Sequence, residues 1–203
     1  MNISSANVEL SKNELELVTS SEFILTKNRI IEKVYNLFGV LSEIYKDILS
    51  RYSTVLPVET FKSSPKIYKG ENYLNLPYVM MDYPRIFAKE DVFAIRSFFW
   101  WGNFFSITLH LSGKYFEMFV DLLQTKLPAL REEDLFVCVN EAPWHHHFEA
   151  INYKSLHEMI TDSASEIFTK PFIKIAKKIP LTEWNHAFEF YKNYYEKLLQ
   201  LIA

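Results

Sequence analysis

The chain has 203 residues, of which 49% are hydrophobic and 16% are aromatic, with a formal net charge of −3. This composition predicts one globular domain with a substantial hydrophobic core and excludes a chain that is disordered throughout. The small negative charge and the pI of about 6.1 give none of the basic field that nucleic-acid binding requires, so we expect no nucleic-acid partner.

The sequence carries no pattern typical of export or membrane insertion. Its first residues lack a basic segment followed by an apolar one, and no apolar stretch approaches the ~20 residues needed to span a bilayer. Cys138 is the only cysteine, so no internal disulfide can form, and its place between two valines predicts a small core residue. We therefore expect a cytoplasmic protein without a membrane partner.

The first 52 residues divide into an arm and a long helix. Residues 1–20 are polar and are predicted to form a loosely ordered arm, with a short strand over residues 14–18. Residues 21–52 are predicted to form one helix of the domain body (residues 21–203), because apolar side chains recur at three-, four- and seven-residue steps. That stripe consists of Ile24, Ile31, Val34, Phe38, Leu41, Tyr45, Ile48 and Tyr52. It predicts packing against a sheet, and the length of the helix also permits a homodimer.

A hairpin gives the strongest strand pattern. Residues 53–91 hold four prolines and are predicted to form a connecting segment, with a short extended piece over residues 78–82. Residues 92–101 and 104–111 are rich in aromatic and β-branched side chains, which indicates two strands. Gly102 and Asn103 between them predict a two-residue type II′ turn.

The second half of the chain mixes helices and strands. A helix is predicted from residue 112 or 113 to residue 128, followed by a buried strand over residues 135–139 and a partner strand over residues 147–153. Residues 172–179 favour a strand over a kinked helix, since a proline lies at each end.

Capping residues predict two more helices. Ser155 and Glu158 form a capping-box pattern at the start of one helix, and Thr182 is predicted to cap the last helix. The whole order predicts an α+β fold, with an antiparallel or mixed sheet and helices packed mainly on one face.

The order of elements resembles that of the YktB-like proteins, an uncharacterised bacterial family with a mixed α+β fold. In that order the arm 10–15 leads into the long helix. The aromatic hairpin around residues 98–101 leads into the helix that contains Tyr115, and a terminal strand leads into the helix of Trp184. The resemblance covers most of the chain as a pattern and implies the fold, but it implies no activity and no site residue.

The hairpin also yields the leading hypothesis about function. With a two-residue turn, Trp101 would face Phe104 and Ser97 would face Thr108, so that aromatic and hydroxyl side chains share one sheet face. Such a mixture is typical of a ligand pocket, although a half-exposed face or a dimer contact has the same composition. We predict a non-enzymatic protein that binds a small molecule or a peptide here. The candidate ligand-binding residues are Ser97, Phe99, Trp101, Phe104, Ser106, Thr108 and His110.

His110 has two interpretations. It could act as a general base if it lines a pocket, and it could equally be a hydrogen-bonded strand residue.

A histidine run provides the alternative hypothesis, a metal-dependent hydrolase. In an extended chain His145, His147 and Glu149 would point the same way, and imidazole and carboxylate groups are suitable ligands for zinc or iron. The pattern lacks a second ligand segment, and Pro143 also permits a polar loop. No other cofactor is expected.

The third hypothesis is a structural or interaction protein that dimerises through the long helix.

Two charged groups remain. Arg96 would interrupt the other, apolar face of the hairpin, so it needs an acidic partner, for which Asp82 and Glu117 are the candidates. The basic cluster of Lys170, Lys174, Lys177 and Lys178 is predicted to be a solvated surface.

Overall fold

The computed structural model describes residues 8–159 and 167–203, with the side chains of residues 127–132 outside the description. Its helices are α1 (Lys12–Thr19), α2 (Ser21–Ser50), α3 (Val58–Lys62), α4 (Lys114–Glu132) and α5 (Ala187–Gln200), with a 3-10 helix over Leu181–His186. Its strands are β1 (Lys66–Tyr73), β2 (Leu76–Phe87), β3 (Val92–Trp100), β4 (Phe104–Ser112), β5 (Phe136–Cys138), β6 (Tyr153–Ser155) and β7 (Phe172–Pro180).

The strands form one antiparallel sheet in the order β1-β2-β3-β4-β7-β5-β6. The first four strands follow one another as hairpins, and β7 returns to pair with the free edge of β4. The predicted α+β class and the antiparallel sheet are confirmed. Among the described residues, no helix has the length and apolar character needed to cross a membrane.

Helix α2 confirms the predicted stripe. Ile31, Val34, Phe38, Leu41, Tyr45 and Ile48 are buried, whereas Ile24, at its amino-terminal end, is half exposed. The buried part of the stripe lies against α5 and the sheet, so these residues pack inside the chain. We call the sheet side under these helices the helix face and the opposite side the outer face.

The arm contains a helix where a strand was predicted. The Ser11 hydroxyl accepts from the Glu14 N–H, and the Glu14 carboxylate accepts from the Ser11 N–H at 2.7 Å, which completes a capping box. No residue of α1 is buried. The predicted strand over residues 14–18 is therefore wrong, because local capping outweighs the β-branched and leucine side chains there.

Several predicted boundaries also change. Helix α4 continues past Pro128 to Glu132. Ser155 ends strand β6. Of the helix predicted to follow it, residues 156–159 and 167–170 are turns and bends, and residues 160–166 lie outside the described residues. Thr182 lies inside the 3-10 helix and does not cap α5. The predicted strand over residues 172–179 is confirmed as β7.

Two stacked tyrosines join α2 to α5 and offer a matched test of the core. The rings of Tyr45 and Tyr195 lie 3.6 Å apart and nearly parallel. The Tyr45 hydroxyl contacts Ser97 Oγ at 3.0 Å and donates to the Tyr191 carbonyl at 3.2 Å. The Tyr195 hydroxyl is buried and has no hydrogen-bond partner in the described part of the chain.

We expect Tyr45→Phe to lower the free energy of unfolding by about 1–2 kcal/mol, because it leaves the buried Ser97 hydroxyl without this partner. Tyr195→Phe removes an unpaired hydroxyl and is expected to be neutral or stabilising. Urea unfolding of the two variants measures both values. Equal losses in the two variants would contradict the hydrogen-bond assignment.

Candidate functional site

The hairpin register separates the predicted ligand-binding residues onto two faces. Trp100 pairs with Phe104, Phe98 with Ser106 and Arg96 with Thr108, so the turn contains three residues, 101–103. The predicted two-residue turn is wrong by one position, and a slip of one residue moves every side chain of one strand to the opposite face. Gly102 adopts a φ of +72°, which glycine tolerates best.

The predicted aromatic and hydroxyl face is therefore corrected. Ser97 and Phe99 lie on the helix face, where Ser97 is fully buried beneath Tyr45. Trp101 lies in the turn and packs against the same core. Phe104, Ser106, Thr108 and His110 lie on the outer face. The structure thus brings together four of the seven predicted residues.

The outer face carries a buried ion pair at its centre. Arg96 contacts Asp82 twice, from Nε at 2.7 Å and from Nη2 at 2.8 Å, which confirms the predicted partner. The Tyr68 hydroxyl donates to the same carboxylate at 3.2 Å, and the third guanidinium nitrogen lies 2.9 Å from His146 Nε2. Two parallel hydrogen bonds fix the guanidinium plane.

A loop over residues 139–152 covers this face, and we call it the covering loop. The Tyr73 hydroxyl accepts from the main-chain N–H of His146 at 2.6 Å and of His147 at 3.1 Å. Asn152 Nδ2 donates to the His147 carbonyl at 2.6 Å. The partner strand predicted for β5 exists as β6, but it begins only at Tyr153, so the predicted bounds 147–153 are wrong. Residues 147–152 form no strand, because side chains satisfy main-chain groups that a strand partner would satisfy.

Aromatic packing holds the other end of the covering loop. Phe148 stacks on Tyr153 with ring centroids 4.6 Å apart and contacts the edges of Phe104 and Phe136. The Lys178 ammonium lies 5.0 Å from the Phe148 ring. Phe104 therefore anchors the loop to the sheet.

His110 lies where the covering loop meets the end of the sheet. Its side chain is 7% exposed, and its Nε2 is buried without a hydrogen-bond partner among the described residues. Trp144 and Phe172 contact the ring edgewise at 5.7 and 6.0 Å. Burial, helped by the charges of Lys174 and Arg96, lowers the pKa of His110 to about 3, so the imidazole is neutral at pH 7.

Lys174 corrects the prediction of a solvated basic cluster. It is 2% exposed, and its ammonium donates to the His145 carbonyl at 2.6 Å. Burial lowers the pKa of this lysine to about 8, which still leaves it mostly protonated at pH 7. Its position between Ile173 and Ile175, in an apolar strand, was the signal in the sequence.

The polar groups of the outer face enclose a small cavity of about 10 Å³, the space of about one water molecule. It is lined by Phe87, Ala94, Arg96, Thr108, His110, Pro143, His146 and Lys174. His110 and Pro143 also line a larger cleft of about 740 Å³. The two residues therefore border both the small cavity and an open space of the size that small ligands occupy.

The cleft is built from four segments of the chain. Its walls come from the turn between β2 and β3, the amino-terminal end of α4, the covering loop and the residues before β7. Asp91 joins the β2–β3 turn to the start of α4, because its carboxylate accepts a hydrogen bond from the Lys114 N–H at 2.9 Å. Gly113, at a φ of +54°, is needed there, since a Cβ would collide with Asp91 and with the Glu90 carbonyl.

The predicted metal ligands lie on the covering loop. His147 Nδ1 and the nearer Glu149 oxygen are 3.9 Å apart, and the His145 and His147 ring centroids are 5.5 Å apart. Among the side chains that the structure describes, those of residues 8–126, 133–159 and 167–203, no group of three histidine, cysteine, aspartate or glutamate residues could hold a metal ion. Zinc or iron binding by these residues stays a prediction.

No sequence pattern identified His146, the middle histidine of the run, as a site residue. Burial and the nearby charges of Arg96 and Lys174 lower its pKa well below the ordinary value. Cys138 is buried, as predicted, and burial raises the pKa of its thiol. The thiol is therefore protonated and unreactive at neutral pH.

Comparison with family models, curated proteins and solved structures finds no match to this chain. The resemblance to the YktB-like proteins therefore stays a prediction.

Proposed function

We propose that this protein binds a small molecule in the cleft between the covering loop and the amino-terminal end of α4. The body of the ligand would lie against Trp144, Phe116 and Phe172, and a polar group would meet Nε2 of His110. The cleft volume of about 740 Å³ supports a small molecule over an extended peptide.

The unpaired His110 nitrogen carries this proposal. A buried polar group without a partner costs about 1–3 kcal/mol, so such groups are rare and call for an explanation. The imidazole that carries this nitrogen is one of the residues that line the open cleft. Trp144 adds support, because 57% of this large apolar side chain is exposed beside the same cleft.

The other predicted functions have less support. The buried part of the α2 stripe is covered within the chain, so it favours no homodimer, and a metal-dependent hydrolase has no supporting ligand group among the described residues. The single buried cysteine is compatible with the reducing cytoplasm that we propose as the location.

Benzamide is a suitable neutral probe, because it combines an aromatic ring with one polar group. We expect saturable binding to the wild-type protein with a Kd of about 1 mM, measured by ligand-observed NMR. His110→Phe removes the polar group at the cleft floor and is expected to weaken binding at least about tenfold, since the ligand amide then loses its partner.

His186→Phe is the matched control, because His186 is exposed in the 3-10 helix, outside the residues that line the cleft. Its affinity for benzamide should equal that of the wild type. The proposal fails if the wild-type protein shows no saturable binding, or if His110→Phe binds benzamide as well as His186→Phe does.

A further inference from the structure

The cavity behind His110 holds more positive than negative charge. The Arg96 guanidinium is paired with the Asp82 carboxylate. In the described part of the chain, Lys174 forms no ion pair, and its ammonium donates to a neutral carbonyl, that of His145. A buried ammonium without an opposite charge is costly, so its presence calls for an anion.

The groups packed around Lys174 do not supply that anion. Cys138 and Tyr153 lie beside it on β5 and β6, and burial raises the pKa of both, which keeps the thiol and the phenol neutral. His110 on β4 and His146 on the covering loop have lowered pKa values and are neutral as well. The cavity therefore retains one positive charge at pH 7.

We propose that the ligand of the cleft is a small organic monocarboxylate, whose carboxylate enters the small cavity beside His110 and Pro143 and there meets Nε2 of His110 and the Lys174 ammonium. This inference rests on the proposed function of the cleft. One excess charge matches a monoanion, and a cavity of about 10 Å³ has the space of about one oxygen atom. Because Arg96 is paired with Asp82, its guanidinium adds no net charge to the site.

The rim of the cleft does not create the anion preference. It contains the ammonium groups of Lys89 and Lys170 and three carboxylates, those of Glu90, Glu117 and Glu141. Lys170 is already paired with Glu141 at 3.1 Å. The rim therefore carries a net negative charge and does not attract a carboxylate. We assign the preference for carboxylates to Lys174.

Benzoate and benzamide form the test pair, because they share a shape and differ in charge. Calorimetry at pH 7 is expected to show benzoate binding at least about tenfold more tightly than benzamide, since only benzoate pairs with the buried ammonium. Lys174→Met removes the charge and keeps the chain length, so the two probes should bind equally to that variant. Lys178→Met is the control on the same strand and face, since methionine packs well against the Phe148 ring, and it should retain the preference.

The pH dependence of the wild-type protein tests the same site without a substitution. Lys174 loses its proton as the pH rises through about 8, so the affinity for benzoate should fall between pH 7 and pH 9.5 while that for benzamide stays constant. Phenyl phosphate should bind more weakly than benzoate.

The outcomes separate the two proposals. Equal wild-type affinity for benzoate and benzamide would overturn the carboxylate inference and leave the small-molecule site intact. Tighter binding of phenyl phosphate than of benzoate would also overturn it. Failure of both benzoate and benzamide to bind would overturn the proposed function as well.

Discussion

Asp82→Asn is expected to lower the free energy of unfolding by about 3–5 kcal/mol. The substitution leaves the Arg96 guanidinium buried without an opposite charge, and breaking a buried ion pair from one side costs this much. The substitution also removes the negative charge of the group that accepts the hydrogen bond from the Tyr68 hydroxyl. Urea unfolding followed by far-UV circular dichroism gives the value.

Two further variants identify the cause. Asp82→Asn combined with Arg96→Met removes both charges and should recover most of the lost stability, because no unpaired ion then remains. Glu43→Gln makes the same chemical change in the exposed pair with Lys46 and should cost less than about 1 kcal/mol. A loss for Asp82→Asn as small as that for Glu43→Gln would show that the pair is solvated.

Acidification is expected to destabilise the protein well above the range in which carboxylates titrate. His110 is buried and neutral, with a pKa of about 3, whereas the unfolded chain binds a proton at about pH 6.5. Between these values the unfolded state holds more protons, so stability falls as the pH falls. His110 alone should remove about 2 kcal/mol between pH 6.5 and pH 4.5, and His146 acts in the same direction.

Chemical unfolding at pH 7.5, 6.5, 5.5 and 4.5 measures this slope. His110→Phe should flatten it by up to about 1.4 kcal/mol per pH unit, the contribution of one proton. His186→Phe should leave the slope unchanged, since that residue is exposed. A wild-type stability that is constant from pH 6.5 to pH 4.5 would contradict the burial of both imidazoles in neutral form.

The sequence by itself determined the features that depend on local periodicity. The stripe of α2 follows from a repeat of 3.6 residues, which is a property of consecutive side chains, and the structure buries most of it. The two hairpin strands and β7 follow from their composition in the same way. The partner of Arg96 was also predictable, because a buried guanidinium demands a carboxylate, and Asp82 was one of two candidates.

The tertiary structure alone decided the site. A turn of three residues, where two were predicted, shifted the register and moved Ser97 and Phe99 to the helix face, and strand composition does not specify such a shift. The burial of Lys174 depends on the covering loop, which is distant in sequence and has no periodic pattern of its own. Long-range packing therefore placed His110, Lys174 and Arg96 around one cavity, because desolvation depends on which segments cover a residue and not on its sequence neighbours.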